Sequence, residues 1–145
     1  MLEPRSVQLL HVEDDDLCLL MMRRAFKVAK LENPINFAHD GIDALEMLRG
    51  TNGRQRLPRP FVILLDLKMP RMGGIEFLQE LRKDEDLKKS VVFVMTTSGT
   101  EDDKVLSYNL GVAGYILKTN PGNAFIQATA LLDTYWRVVE LPAPG

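Results

Sequence analysis

Five short apolar runs, each followed by a longer stretch of helical spacing, constrain this chain more than any other feature. The runs are Val7 to Val12, Ile35 to Ala38, Phe61 to Leu65, Val91 to Met95 and Tyr115 to Leu117. Short apolar runs alternating with helical segments are the pattern of parallel βαβ units joined by right-handed crossovers. The spacing predicts helices over Asp16 to Lys30, Ile42 to Leu48, Ile75 to Arg82, Glu101 to Leu110 and Asn123 to Trp136, with Gly111 placed to end the fourth. The chain is thus expected to be an α/β protein with one domain over residues 1–145, its core about 7–136 and a tail from Arg137 to Gly145.

In the first helix Cys18, Met21, Met22, Ala25, Phe26 and Ala29 recur at spacings of three and four, marking a core stripe. Leu17, Leu19 and Leu20 fall off that stripe, so they form either a partner-docking surface or packing beneath neighbouring loops. Gly50 to Pro60, reading GTNGRQRLPRP, combines turn formers with Arg54, Arg56 and Arg59, which suit an acidic partner or a solvated loop.

Charge and cysteine content exclude several function classes. A formal net charge of -2 offers no global attraction to nucleic acid or to an anionic membrane. Cys18 has no second thiol to pair with and no Cys/His cluster around it, so neither a disulfide framework nor a zinc site is expected. Met1 to Gln8 lacks a signal core and no run is long and apolar enough to span a membrane, which points to a cytoplasmic protein.

Polar residues cluster where the expected strands end, the edge at which parallel α/β sheets collect ligands. The first strand ends in Glu13-Asp14-Asp15-Asp16, the third in Asp66, the fourth in Thr96-Thr97-Ser98 and the fifth in Lys118. Crowded carboxylates repel unless a divalent cation compensates or some stay protonated, and Mg²⁺ suits an all-oxygen site that keeps several waters. Asp66 is then a carboxylate nucleophile for phosphorus, Lys118 a partner for a phosphoryl oxygen and Thr96 a hydroxyl donor. Each residue alone has a plainer role. Asp15 or Asp16 could cap a helix, Thr96 and Thr97 could start one, Lys118 could be surface charge and Tyr115 a core aromatic.

Read in order, VEDD at Val12 to Asp15, LLDLKMPRMGG at Leu64 to Gly74, VMTTS at Val94 to Ser98 and GYILK at Gly114 to Lys118 resemble the receiver domains of two-component response regulators. The resemblance implies a flavodoxin-like (βα)5 fold, a five-stranded parallel sheet in order 2-1-3-4-5 with helices on both faces. It implies Asp66 as phosphoacceptor, Glu13, Asp14, Asp66 and the backbone carbonyl of Lys68 as Mg²⁺ ligands, Thr96 and Tyr115 as the switch pair, and Lys118 as the lysine of the motif. It also implies a sensor histidine kinase as phosphodonor and a regulator that is not itself an enzyme.

Two positions depart from the family pattern. Gly73-Gly74 stands where Asp-Gly is common, and Lys118-Thr119 where Lys-Pro is common, which removes the reason for a cis peptide after Lys118. Lys118-Thr119, the Gly50 to Pro60 loop and the ending TYWRVVELP further resemble the small stand-alone regulators that partner phytochrome histidine kinases. In that subgroup homodimers are usual, which fits Phe125, Ile126, Leu131, Leu132 and Trp136 on the last helix, although core packing is the preferred reading for most of them. With no output domain expected, the signal would pass to a separate protein or to a second copy of the chain. The rival readings are a pseudo-receiver that only binds, and a Mg-dependent phosphohydrolase, which commonly needs an acid where Lys68 stands.

Overall fold

Among the described residues, 7–119 and 121–142 of a computed structural model, ten elements alternate strictly. They are β1 (Gln8–Val12), α1 (Asp16–Val28), β2 (Ile35–Ala38), α2 (Gly41–Arg49), β3 (Phe61–Leu65), α3 (Gly74–Lys83), β4 (Val91–Thr96), α4 (Glu101–Asn109), β5 (Gly114–Leu117) and α5 (Pro121–Val138). The N-terminal stretch without a signal core and the end of the expected tail lie partly outside these residues.

The strands run parallel in the order β2-β1-β3-β4-β5, as the resemblance implied. Val12 stands opposite Ala38 on one side and Leu65 on the other, and Thr96 opposite Leu117, so the strand ends fall along one edge. Leu10, Val12, Ile63, Leu65, Val92 and Val94 pack on one face with Leu45 and Leu48 of α2 and Phe77, Leu78 and Leu81 of α3. Leu9, Val62, Leu64, Phe93 and Met95 pack on the other with Met22 and Phe26 of α1 and Phe125, Ala128 and Leu132 of α5. Every residue of β3 is buried, because helices cover both faces of a central parallel strand.

Helix ends follow local chemistry. Asp15 caps α1 by accepting the Leu17 N–H at 2.9 Å. Gly50 closes α2 at φ +70°, a conformation glycine adopts without a Cβ penalty. Gly111, at φ +77°, lies just beyond the end of α4.

Three expectations need correction. In α1 the buried residues are Leu19, Met22 and Phe26, with Cys18, Met21 and Ala25 along the margin. The expected stripe from Cys18 to Phe26 therefore faces the core, and the buried face also takes in Leu19, which the sequence reading placed off the stripe, while Leu17 and Leu20 are each 62% exposed. Ala29 is exposed because it is the C-cap, past the last full turn.

The last helix runs two residues past Trp136, drawing Arg137 and Val138 out of the expected tail. No proline or glycine interrupts it there, Arg137 pairs with Asp133 one turn back at 2.7 Å, and Leu141 beyond it packs against the core. Of the five apolar residues noted on it from the sequence, Phe125 and Leu132 are buried and Trp136 meets Phe26 edge to face, whereas Ile126 and Leu131 are exposed.

The loop 50–60 is tied down rather than simply solvated. Arg54 pairs with Asp43 and Glu46, Arg59 donates to the Asp86 carbonyl at 2.5 Å, and Leu57 is buried. Arg56 alone of the three arginines has the exposed position expected of a solvated loop and no ion pair among the described residues.

The revised α1 face is testable by urea unfolding. Leu19→Ala should cost about 2–5 kcal/mol of stability, while Leu20→Ala should change it by less than about 0.5 kcal/mol. Equal losses would contradict the assignment.

Candidate functional site

The first carboxylates arrive where β1 gives way to α1. Glu13 keeps its N–H in the sheet, donating to the Ala38 carbonyl at 2.8 Å, and its side chain is buried, whereas Asp14 is exposed. From the neighbouring strand, Asp66 donates its N–H to the Val12 carbonyl at 3.0 Å, and its Oδ1 accepts the Leu67 N–H at 2.8 Å. Gly74 sits directly behind this turn, so close that a Cβ would come within 2.5 Å of the Asp66 carbonyl oxygen. The second glycine of the motif is thus a packing requirement.

Glu13, Asp14 and Asp66 each offer a carboxylate oxygen within 4.8 Å of the others. The Lys118 ammonium bonds Glu13 Oε1 at 2.7 Å, with both side chains buried. Burial would lower the Lys118 pKa, but the bond to Glu13 and the nearby Asp66 charge outweigh it and hold the pKa above its usual value. Glu13 is pushed up to about 7, first by burial and then by the adjoining Asp66 carboxyl, with Lys118 opposing.

The other oxygen of Glu13 has no hydrogen-bond partner among the described residues. A buried acceptor without a donor, beside two more carboxylates in an all-oxygen donor set, fits a hard divalent cation such as Mg²⁺.

At the end of β4, Thr96 is fully buried and its Oγ1 accepts the Ser98 N–H at 3.3 Å. The Tyr115 hydroxyl donates to the Ser98 carbonyl at 2.6 Å, and the Ser98 hydroxyl donates to Asp103 in the first turn of α4. Thr96 and Tyr115 therefore meet through one loop. Lys68 is exposed on the β3–α3 loop. Lys118 donates its N–H to the Thr96 carbonyl at 2.8 Å, and the peptide to Thr119 is trans; the cis peptide of the described residues is Arg59–Pro60.

Sequence reasoning missed three features here. His11 is buried on β1 against Phe37 and Phe125, and burial with the nearby Lys118 charge lowers its pKa to about 3, so it stays neutral. Cys18 lies 3.8 Å from the Lys118 ammonium, and burial followed by Glu13 pushes its thiol up to about 12, so it is not a thiolate. Asp40, capping α2, holds Arg71. An aspartate directly before a helical segment is a readable cap, whereas nothing in the spacing pairs it with Arg71.

These shifts act on stability in opposite directions. A raised Glu13 pKa contributes stability that is present below pH 4.5 and lost as pH rises through about 7. The lowered His11 pKa makes stability rise with pH between about 3 and 6.5, masking part of that loss. Comparing Glu13→Gln with wild type cancels the histidine. Without metal, the variant's melting temperature should gain on wild type by a few degrees as pH rises from 4.5 to 7. A pH-independent difference would contradict the shift.

The family model of the response regulator receiver domain matches residues 9–130. Response regulator Rcp1 of Synechocystis sp. is 33% identical over 141 residues, covering 97% of this chain and 95% of that protein. The Mn(2+)-bound form of Rcp1 aligns with a TM-score of 0.83 at 32% identity, covering 94% of this chain and 99% of that one. The phosphorylated cyanobacterial phytochrome response regulator RcpA aligns with a TM-score of 0.87 at 30% identity, covering 96% and 100%. With its five-stranded sheet, its acidic cluster and these matches over most of its length, the chain belongs to the response regulator receiver family.

Proposed function

We propose that this chain is a phosphorylation-dependent signalling switch that takes a phosphoryl group from a histidine kinase onto Asp66. The observation that carries this reading is an anchored Asp66 carboxylate among Glu13 and Asp14, with the Lys118 ammonium on the same cluster. Glu13, Asp14, Asp66 and the Lys68 carbonyl would hold Mg²⁺, which when bound supplies the charge neutralisation that lets an anionic phosphoryl group approach.

An Asp66 oxygen attacks phosphorus in line, forming a P–O bond as the donor's bond to phosphorus breaks. Lys118 uses one N–H on Glu13 and has further protons for a phosphoryl oxygen. Thr96 Oγ1 accepts from Ser98, which leaves its hydroxyl proton to donate to the phosphoryl group. Because Tyr115 is bonded to that same Ser98, movement of Thr96 is passed to the aromatic ring and to α4.

Val105, Leu106 and Tyr108 of α4 and Leu117 of β5 are exposed apolar residues that would carry the signal to a target or a second copy. Leu17 and Leu20, beside the acidic cluster, would meet the kinase. Likeness to RcpA, a phytochrome response regulator, supports a phytochrome kinase as donor, and the regulator is read as a homodimeric, cytoplasmic protein acting as one receiver unit over residues 1–145. No helix among the described residues is long and apolar enough to cross a membrane. Lys68 in place of a second acid argues against a phosphohydrolase, and the filled set of reacting positions argues against a pseudo-receiver.

Incubated with a phosphorylated phytochrome histidine kinase and Mg²⁺, the wild-type chain should acquire label on an acyl phosphate. Asp66→Asn, which keeps size and removes the attacking carboxylate, should acquire none. Undiminished acyl-phosphate label on that variant would sink the assignment.

A further inference from the structure

The β3–α3 loop carries Lys68, and it is fastened to the start of α2 by residues that phosphoryl transfer does not otherwise use. Arg71 Nε donates to Asp40 Oδ2 at 2.6 Å, and the Asp40 side chain is almost wholly buried. Asp40 Oδ1 simultaneously caps α2 by accepting the Asp43 N–H at 2.8 Å. Alongside, the Gly41 N–H donates to the Met72 carbonyl at 2.9 Å. The Met72 side chain lies so close over Gly41 that a Cβ there would come within 2.6 Å of it.

The segment so held is not one the chain prefers. Arg71 has φ +60°, in the left-handed region that residues with a Cβ rarely enter, and Met72 donates back to the Pro70 carbonyl at 2.7 Å across a three-residue turn. Such a conformation persists only where its surroundings fix it, and strained segments of this kind cluster at functional sites. Here the fixing contacts are the Asp40–Arg71 pair and the Met72–Gly41 contact, three to four residues beyond Lys68. Burial would raise the Asp40 carboxyl pKa, but Arg71 and the Asp43 N–H hold it below the usual range, so the pair is ionic.

We infer that Asp40 and Arg71 are a positioning pair, clamping the turn against α2 so that the Lys68 carbonyl is presented to Mg²⁺. The inference rests on the reading of Lys68 as a ligand and deepens it. Neither residue touches the reacting atoms. Their effect is exerted through the backbone between Lys68 and Met72, in the way that partners of a metal ligand set its orientation.

Two variants separate positioning from folding. Asp40→Asn keeps a competent helix cap while removing the carboxylate charge. Arg71→Gly removes the guanidinium and suits the positive φ. Mg²⁺ affinity is measured by calorimetry on the full chain, and backbone hydrogen exchange at Gly41 and Gly74 is measured without metal. Each variant should bind Mg²⁺ on the order of tenfold more weakly, and the double variant no more weakly than the worse single one. Exchange at Gly41 should quicken in both, with urea unfolding midpoints near wild type.

Mg²⁺ affinity unchanged in both variants, or losses that add in the double variant, would overturn the inference. So would exchange protection that survives both substitutions. A wild-type chain that binds no Mg²⁺ would instead overturn the metal site itself, a result distinguishable because the exchange measurement contains no metal.

Discussion

The N–H of Asp66 donates to the carbonyl of Val12 at 3.0 Å, the last rung of the parallel ladder between β1 and β3, and the site is built outward from that bond. Because β1 and β3 are neighbours in the sheet, the residues that follow each strand emerge side by side. Glu13 and Asp14 therefore meet Asp66, although more than fifty positions separate them in the chain. On the far side of β3, the β4–β5 ladder brings Thr96 and Lys118 together by a backbone bond of 2.8 Å. A sheet in another order would scatter the same residues.

What this edge gathers is charge that a bare protein holds poorly. Glu13 is buried with only one of its two oxygens bonded, to the buried Lys118 ammonium. Part of this cost is relieved because burial and the adjoining Asp66 carboxyl raise the Glu13 pKa, whereas His11, held neutral by its own burial, supplies no compensating charge. A divalent cation or an added phosphoryl group would change that balance directly, and on the proposed reading this would couple chemistry at Asp66 to the hydrogen bonds that run from Thr96 through Ser98 to Tyr115.

Much of this was legible in the sequence, for reasons that differ by feature. Strand positions came through because buried parallel strands read as continuous apolar runs; β2 and β3 match the expected limits residue for residue. The acidic cluster was legible because its members sit at strand ends, whose position follows from the strands. The inward stripe of α1 was legible from Cys18 to Phe26, but Leu19 and Leu20 are equally apolar and only the folded structure buries the first and exposes the second. The clamp of Arg71 on Asp40 and the burial of His11 were illegible, because both depend on which loops and rings a folded sheet brings together. The extra turn-forming loop before β3 was recognised as a loop, but its arginine ties to Asp43 and Glu46 needed the tertiary structure.

The account stands on one atom-level claim: that a carboxylate oxygen of Asp66 takes the phosphoryl group. Borohydride reduces an aspartyl phosphate to homoserine, so treating the phosphorylated chain and sequencing its peptides by mass spectrometry reads the acceptor position directly. Homoserine at position 66, dependent on Mg²⁺ and on prior phosphorylation, is the predicted result. Homoserine at Asp14 or another carboxylate with Asp66 unmodified would contradict it.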